Sequence, residues 1–295
     1  MNQPLVSVIL PTYNRANTIS RAIDSVLNQT YSNLELIVID DGSTDNTGDI
    51  MNEYLKEDPR ISYVKQEHLG ANYARNYGIK LAKGQYIAFQ DSDDEWFNHK
   101  LEKLLNVAQL SNEGYAGVFT AFYRCDQDGN KQLIPKDRIE RLSWEEQFKL
   151  LLVNNFIGTP SMILKKEAII DVEGFSNNLP RFQDWEFCLR IGLKYRLYYS
   201  PEPLFISYDS SNSISRNKEA GVTALEFILS NFYEVLKKDT KVLSHHYYRL
   251  GSSYFVLGDK IKARDNFLKT IQNNSLYIKA WIKLIWTFFV KGEKI

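Results

Sequence analysis

Only two of the 295 residues are cysteines, Cys125 and Cys188, far apart and outside any CxxC or metal-ligand spacing. That excludes a disulfide scaffold and a thiolate metal site, and both are expected as small hydrophobes in a reducing compartment. Long apolar runs are equally scarce. The most apolar late stretch, Trp281 to Val290, contains Lys283 and is about half a membrane span. No basic run precedes an apolar stretch in Met1 to Leu5, so no signal peptide is expected and the chain reads as cytoplasmic. Net charge is absent too: Lys+Arg and Asp+Glu are 36 each, which leaves nothing to wrap nucleic acid.

What is present is ordinary for a folded protein: 44% apolar and 24% charged residues, in a chain long enough for about two domains. The charge balance hides an asymmetry. Residues 1–215 hold 22 basic against 29 acidic residues and residues 216–295 hold 14 against 7. Two regions are therefore expected, divided at 215/216, where the polar, turn-like run Ser210 to Ser215 ends.

The first hundred residues alternate strand and helix. Leu5 to Leu10 is a buried-strand pattern stopped by Pro11. Ile19, Ala22, Ile23, Val26 and Leu27 follow at helical spacing. Leu34 to Ile39, Ile61 to Val64 and Tyr86 to Phe89 are further short strands. Helices fall between them, one carrying Ile50, Met51, Tyr54 and Leu55 with Asp45 or Asn46 as cap, another over Tyr73 to Ala82. This order implies parallel crossovers and an α/β, Rossmann-like, mostly parallel central sheet flanked by helices. Such sheets bind ligands beyond the carboxyl ends of their strands. Those ends hold Pro11-Thr12-Tyr13-Asn14, Asp40-Asp41-Gly42-Ser43 and Asp91-Ser92-Asp93-Asp94, three polar clusters at one edge. Later, Val118 to Tyr123, Ser161 to Leu164 and Leu204 to Tyr208 read as extended, and Trp144 to Val153 and Phe182 to Leu193 as helical.

Each cluster has a plain reading beside a chemical one. Asp91 and Asp93 can converge on one hard divalent cation, or form a solvated turn before a helix. Asp40-Asp41-Gly42 is either a tight turn or a base-recognition loop in which a carboxylate accepts the uracil imide N–H and Tyr13 stacks. Arg75 is a surface arginine or a diphosphate clamp. In Gln183-Asp184-Trp185-Glu186, Asp184 is either a helix-start residue or a general base beside an aromatic. Two acidic residues at i and i+2 face differently on a helix, so Asp184 and Glu186 take different roles.

Beyond residue 215 the pattern is all-helical. Leu250-Gly251, Tyr254, Gly258, Ala263 and Phe267 match one tetratricopeptide-like helix–turn–helix unit. One unit cannot bury its own apolar face, so it packs on neighbouring helices, on the first domain or on a protein partner, a second copy included. The lysines of this tail with Trp281, Trp286, Phe288 and Phe289 are either a solvated face over a core or a peripheral contact with the inner, anionic face of the cell membrane.

Together, Val6 to Asn14, Ile37 to Asp45, Ala74 to Ile79, Asp91-Ser92-Asp93-Asp94 and Asp184-Trp185-Glu186 resemble the family 2 glycosyltransferases of GT-A fold, over roughly residues 4–215. The resemblance implies an inverting transfer of a sugar from a UDP-sugar to an acceptor hydroxyl, on a glycan or lipid-linked acceptor in surface polysaccharide synthesis. It implies a uridine pocket at Pro11, Thr12, Tyr13 and Asn14, with Asp41 on the uracil and Asp40 beside it. It puts Arg75 on the diphosphate, Asp91 and Ser92 with the nucleotide, Asp93 with Asp91 on Mn2+ or Mg2+, and Asp184 as the base. Two departures from the family pattern stand out. Gln183 occupies a position where many relatives have Glu, and no His precedes the Ser-x-Ser run, where Asp209 is the nearest substitute. A transferase domain made into a scaffold through its helical tail is the alternative; a sugar-1-phosphate nucleotidyltransferase would need a glycine-rich, basic loop where Pro11 to Arg15 stands.

Overall fold

The structure, a computed structural model, describes residues 3–110, 114–136, 138–209 and 217–289. The chain divides into two compact units: Met1–Phe148, Asn155–Asn177 and Phe187–Ser211 form one, and Lys149–Asn154, Asn178–Glu186 and Asn212–Ile295 the other. The stretch from Ser210 to Ser215, with the Ser-x-Ser run and the 215/216 limit, lies outside the described residues.

In the first unit, β1 (Val6–Thr12), β2 (Leu34–Asp40), β3 (Ile61–Lys65) and β4 (Tyr86–Phe89) alternate with α1 (Ile19–Leu27), α2 (Thr47–Glu57) and α3 (Ala71–Leu81). All four strands are parallel, with β1 between β2 and β4, and β3 outside β2. β1 is buried along its whole length, the signature of a strand covered on both faces. The expected stop at Pro11 is corrected. The strand runs through Pro11, paired with Ile39, to Thr12, paired with Asp40. The proline ring removes one ladder donor at the strand's end but tolerates extended backbone. That register sets the last residues of β1 and β2 side by side, so the following loops leave the sheet together. α1 buries Ile19, Ala22, Ile23 and Val26, the stripe its spacing predicts, against Val8, Leu10 and Val38.

Next along the chain come β5 (Glu95–Trp96), α4 (Lys100–Leu110), β6 (Tyr115–Cys125), β7 (Lys131–Ile134), α5 (Trp144–Val153), β8 (Met162–Lys165), α6 (Lys166–Asp171), α7 (Gln183–Lys194) and β9 (Arg196–Tyr208), all of the first unit except α5 from Lys149 onward and α7 up to Glu186, which belong to the second. The sheet order is β3-β2-β1-β4-β8-β6-β9-β5, with β7 on β6. β8 is antiparallel to both β4 and β6, so the sheet is parallel through its first four strands and mixed beyond. β9 begins eight residues before the expected Leu204. Pro201 and Pro203 mask it in sequence, and register shifts at Thr120/Ala121 and Ala121/Tyr123 of β6 accommodate them. β6 also explains Gly117, where a Cβ would lie 2.1 Å from the Ile163 carbonyl oxygen of β8.

The second unit holds α8 (Lys218–Asn231), α9 (Tyr233–Leu236), α10 (Thr240–Val256), α11 (Lys260–Asn273) and α12 (Ile278–Phe289). Asp239 and Asp259 start α10 and α11 by accepting backbone N–H groups with their side chains, a strong N-cap choice. Between these helices Gly258 adopts φ +86°. Gly251 lets α11 close in: a Cβ there would meet the Phe267 ring at 2.9 Å. The expected helix–turn–helix unit is thus formed by α10 and α11. Among the described residues no helix is long and apolar enough to cross a membrane.

Candidate functional site

The carboxyl ends of β1, β2, β3 and β4 deliver four loops to one edge of the first unit. The β1 and β2 loops are laced together. Asn14 takes left-handed φ +51°, which Asn tolerates better than most side chains. There its N–H donates to Ser43 Oγ at 2.9 Å and its Oδ1 accepts from Thr44 N at 2.8 Å. Arg15 N donates to Thr47 Oγ1 and Ala16 N to Asp45 Oδ2, each at 3.0 Å. Asp45, not Asn46, does the capping work, accepting from Thr47 N and Oγ1.

Asp40 and Asp41 differ although they are adjacent. Asp40 is fully buried and accepts from Ser43 N at 2.7 Å and Tyr63 Oη at 2.5 Å. Burial first, then the Asp40 carboxylate, pushes the Tyr63 phenol upward. Asp41 reaches across to the β3–α3 loop. Its Oδ1 accepts from Gln66 Nε2 and Leu69 N at 2.7 and 2.9 Å, and its Oδ2 from Gly70 N at 2.8 Å. His68 Nδ1 lies 2.8 Å from the same Oδ2. The His68 ring stacks on Tyr13 with centroids 4.1 Å apart, and Tyr13 is 41% exposed. Pro11 and Thr12, at the end of β1, are buried.

After β4, Asp91 pairs with Arg75 Nη2 at 2.8 Å and Asp93 Oδ2 lies 3.5 Å from Arg15 Nη2. Arg21 donates to the Asp93 carbonyl. Ser92, between the two carboxylates, is buried. Arg75 projects from α3 and is itself buried, with Nε unpaired among the described residues. Two guanidinium groups thus attend two carboxylates, the complement a diphosphate and a divalent cation would exchange with. Asp91 and Asp93 are hard oxygen donors, and one or two carboxylates plus substrate oxygens are what Mg2+ or Mn2+ takes. A preformed cluster of three or more ligating side chains is absent among the described residues, as that mode of binding requires none. The donor set fits the cation.

Two buried ionisable side chains accompany these carboxylates: Asp94, the last of the acidic run, and Lys100. Asp94 is buried and accepts from Tyr208 N at 3.2 Å. Burial first, then the charges of Asp91 and Asp93, holds its carboxyl well above the usual range. Lys100 is fully buried, its ammonium 3.6 Å over the Trp96 ring and donating to the Pro160 carbonyl. Burial pushes it well down, opposed by Asp94 and Asp91. No sequence signal marks Lys100, which reads as an ordinary first-turn lysine. His68 had one: it is among only four histidines and lies in a loop at the carboxyl edge.

Asp184 belongs to the second unit, in the first turn of α7. Its Oδ1 accepts from Trp185 N at 2.8 Å. Phe182, two residues earlier, has φ +59°, a strained state for an aromatic side chain and one that clusters at functional sites. Trp185 is fully buried, donates Nε1–H to the Leu151 carbonyl at 2.6 Å and stacks on His246. Glu186 is buried while Asp184 is only half-buried, so the two acidic residues do face differently. Gln183 is half-buried beside Asp184. Cys125 and Cys188 are buried and in no disulfide.

A parallel-to-mixed sheet with its polar loops gathered at one edge defines the GT-A class of fold. The profile of Glycosyl transferase family 2 matches residues 7–172, more than half of the chain, and the chain belongs to that family. A putative teichuronic acid biosynthesis glycosyltransferase, TuaG of Bacillus subtilis, is 36% identical over 222 residues, 73% of this chain and 83% of the relative. Other relatives are longer, with 18% and 36% of their length covered. TarS 1–349 of S. aureus, solved in complex with UDP-GlcNAc, matches with TM-score 0.70 at 20% identity over 96% of this chain and 89% of that one. A mannosyltransferase, PcManGT of Pyrobaculum calidifontis, solved with GDP-Man and Mn2+, matches with TM-score 0.60 at 17% identity, over 96% of this chain and 79% of that one. At these identities the structural likenesses show the fold.

Proposed function

We propose that this chain transfers a sugar from a UDP-sugar to an acceptor hydroxyl with inversion, in the assembly of a surface polysaccharide. One observation carries the reading: Tyr13, Asp41, Arg75, Asp91 and Asp93 come from separate segments to one sheet edge, with guanidinium groups on both DxD carboxylates. The polysaccharide setting is supported by the name of the Bacillus relative, and the uridine donor by the ligand of TarS. The GDP-sugar of the mannosyltransferase neighbour makes the donor base the first thing to measure.

In this reading Tyr13 stacks on uracil and Asp41 accepts its imide N–H. His68 gives way, because it is the exposed partner of both residues. Asp40, turned inward, shapes the loop, and Asn14 fastens it. Arg75 meets the diphosphate, and Ser92 orders the turn between the carboxylates. Asp93, with Asp91, would hold Mn2+ or Mg2+, whose charge when bound offsets that developing on the departing diphosphate. An Asp184 carboxylate oxygen takes the acceptor proton as the acceptor oxygen attacks the anomeric carbon from the face opposite the leaving group. That in-line geometry inverts the centre, so an α-linked donor gives a β-linked product. Two buried cysteines outside any disulfide favour a cytoplasmic setting. A peripheral membrane position is supported by α12, which buries only Ala280 and Thr287 and leaves Ile285, Trp286, Phe288 and Phe289 exposed.

Calorimetric titration of UDP, GDP and CDP, with and without Mn2+, tests the donor. We expect tightest binding of UDP with metal, and an affinity loss of about tenfold or more in Asp93→Ala. Asp184→Asn should keep UDP affinity and lose turnover by about a hundredfold or more. A scaffold would show neither effect, and an absence of UDP binding with and without metal would overturn the donor assignment.

A further inference from the structure

The second unit contains a cavity of about 390 Å³ lined by Arg181, Phe182, Lys218, Tyr248, Arg249 and Ser252 among others. Three cations line it, and no carboxylate is among its described lining residues. Among the described residues none of the three makes an ion pair. Among the described residues Arg181 donates to the Asn217 carbonyl alone, at 3.3 Å, and its buried Nε has no partner. Arg249 donates to the Val153 carbonyl at 3.1 Å and lies 4.8 Å over Trp185. Ser252 Oγ is buried without a partner among the described residues. Burial first, then the charge of Arg181, draws Arg249 down to about 10, so the two guanidinium groups sense each other. Like charges held together without counter-charge among the described residues stand ready for an anion, and guanidinium forks match carboxylate and phosphate oxygens.

The place of this cavity in the chain says which anion. None of the donor-side residues above belongs to it. Arg181 and Phe182 are instead the residues immediately before Gln183-Asp184, and Arg249 covers the Trp185 that follows. The strained Phe182 turns its ring between Arg181, at 4.7 Å, and Arg249, at 5.7 Å. The volume suits one small ligand. We infer that this cavity is an oxyanion subsite for the acceptor, holding the carboxylate or phosphate of an acidic glycan through Arg181, Lys218 and Arg249. The inference rests on the reading of Asp184 as the group that meets the acceptor.

The full chain saturated with UDP, so that the donor side is filled, would be titrated calorimetrically with glucuronate, glucose 6-phosphate and glucose. We expect at least one charged sugar to bind about tenfold tighter than glucose, the preferred one telling carboxylate from phosphate. Arg181→Gln and Lys218→Gln should each erase most of that preference and leave UDP affinity unchanged. Lys218 is exposed, so its substitution reads the site even where Arg181→Gln disturbs packing. Equal binding of charged and neutral sugars, or a preference untouched by both substitutions, would overturn the subsite. So would binding to phosphatidylglycerol vesicles that Lys218→Gln abolishes while the sugars fail to bind, which would make it a lipid-headgroup site. Failure of UDP to bind is a separate result. It sinks the donor reading, and the sugar titrations without UDP still decide the cavity.

Discussion

Asp40 and Asp41 show how little a residue's identity says before its neighbours are placed. Both are acidic, adjacent and buried, yet one holds Ser43 of its own loop and Tyr63 of β3 while the other ties a distant loop, residues 66–70, to the edge of the sheet. His246 makes the same point for titration. It is buried under Trp185, donates Nε2–H to the Leu152 carbonyl at 2.6 Å, and is drawn from 6.5 to about 4, first by burial and then by Arg249 and His245. The unfolded chain therefore binds this proton more readily than the folded one. The contribution is fully present above about pH 6.5 and is lost as pH falls towards 4, on the order of 3 kcal/mol in all. Urea unfolding at pH 7.5, 6 and 5 should show the loss. His246→Gln, which keeps a donor for Leu152, should lower stability at pH 7.5 but flatten that slope. An unchanged slope in the variant would assign it elsewhere.

At the scale of elements, α3 carries Arg75 to Asp91, and Gly78 sets how closely that helix lies on β1. A Cβ there would sit 2.5 Å from Ile9 Cγ2, on a stiff, fully buried β-branched side chain. Helix propensity would favour Gly78→Ala by about 1 kcal/mol, but overpacking costs about 1–3 kcal/mol. We expect a net loss, seen as a lowered urea midpoint, together with weaker UDP binding as Arg75 moves. Stabilisation would show that the helix can retreat freely. Much of this level was legible in sequence. α5, β4 and α1 fall where their periodicity puts them, because each element's pattern reports a face it must bury. β5, β7, α6 and the first half of β9 were not legible. They are short, exposed or proline-bearing, and only pairing partners far along the chain define them. The site residues divide the same way: the polar loops were visible at strand ends, whereas Lys100 and Arg15 matter only through what they touch.

At the scale of the whole molecule, the two units carry different parts of the proposed chemistry: donor loops in the first, Asp184 and the cationic cavity in the second. The apolar face of α12 belongs to the second as well, beside Lys279 and Lys283. If it meets an anionic membrane, sedimentation with phosphatidylglycerol vesicles should capture the chain at low salt and release a large part at high salt, because basic attraction is screened. Trp286→Ser with Phe289→Ser should reduce capture by about tenfold, and capture that ignores these substitutions would remove α12 from the contact.

The sequence by itself determined the alternation of strand and helix, the carboxyl-edge clusters and the order of motifs that places this chain among the family 2 glycosyltransferases. These are local properties, written in periods of two and 3.6 residues and in turn chemistry. Only tertiary structure decided that Asp40 faces inward, that Lys100 is buried behind the DxD, that Gly251 admits Phe267, and that Arg181, Lys218 and Arg249 gather around one cavity. Those facts depend on which side chains from distant segments share a small, water-poor volume, where burial changes charge and a single methyl group decides an approach.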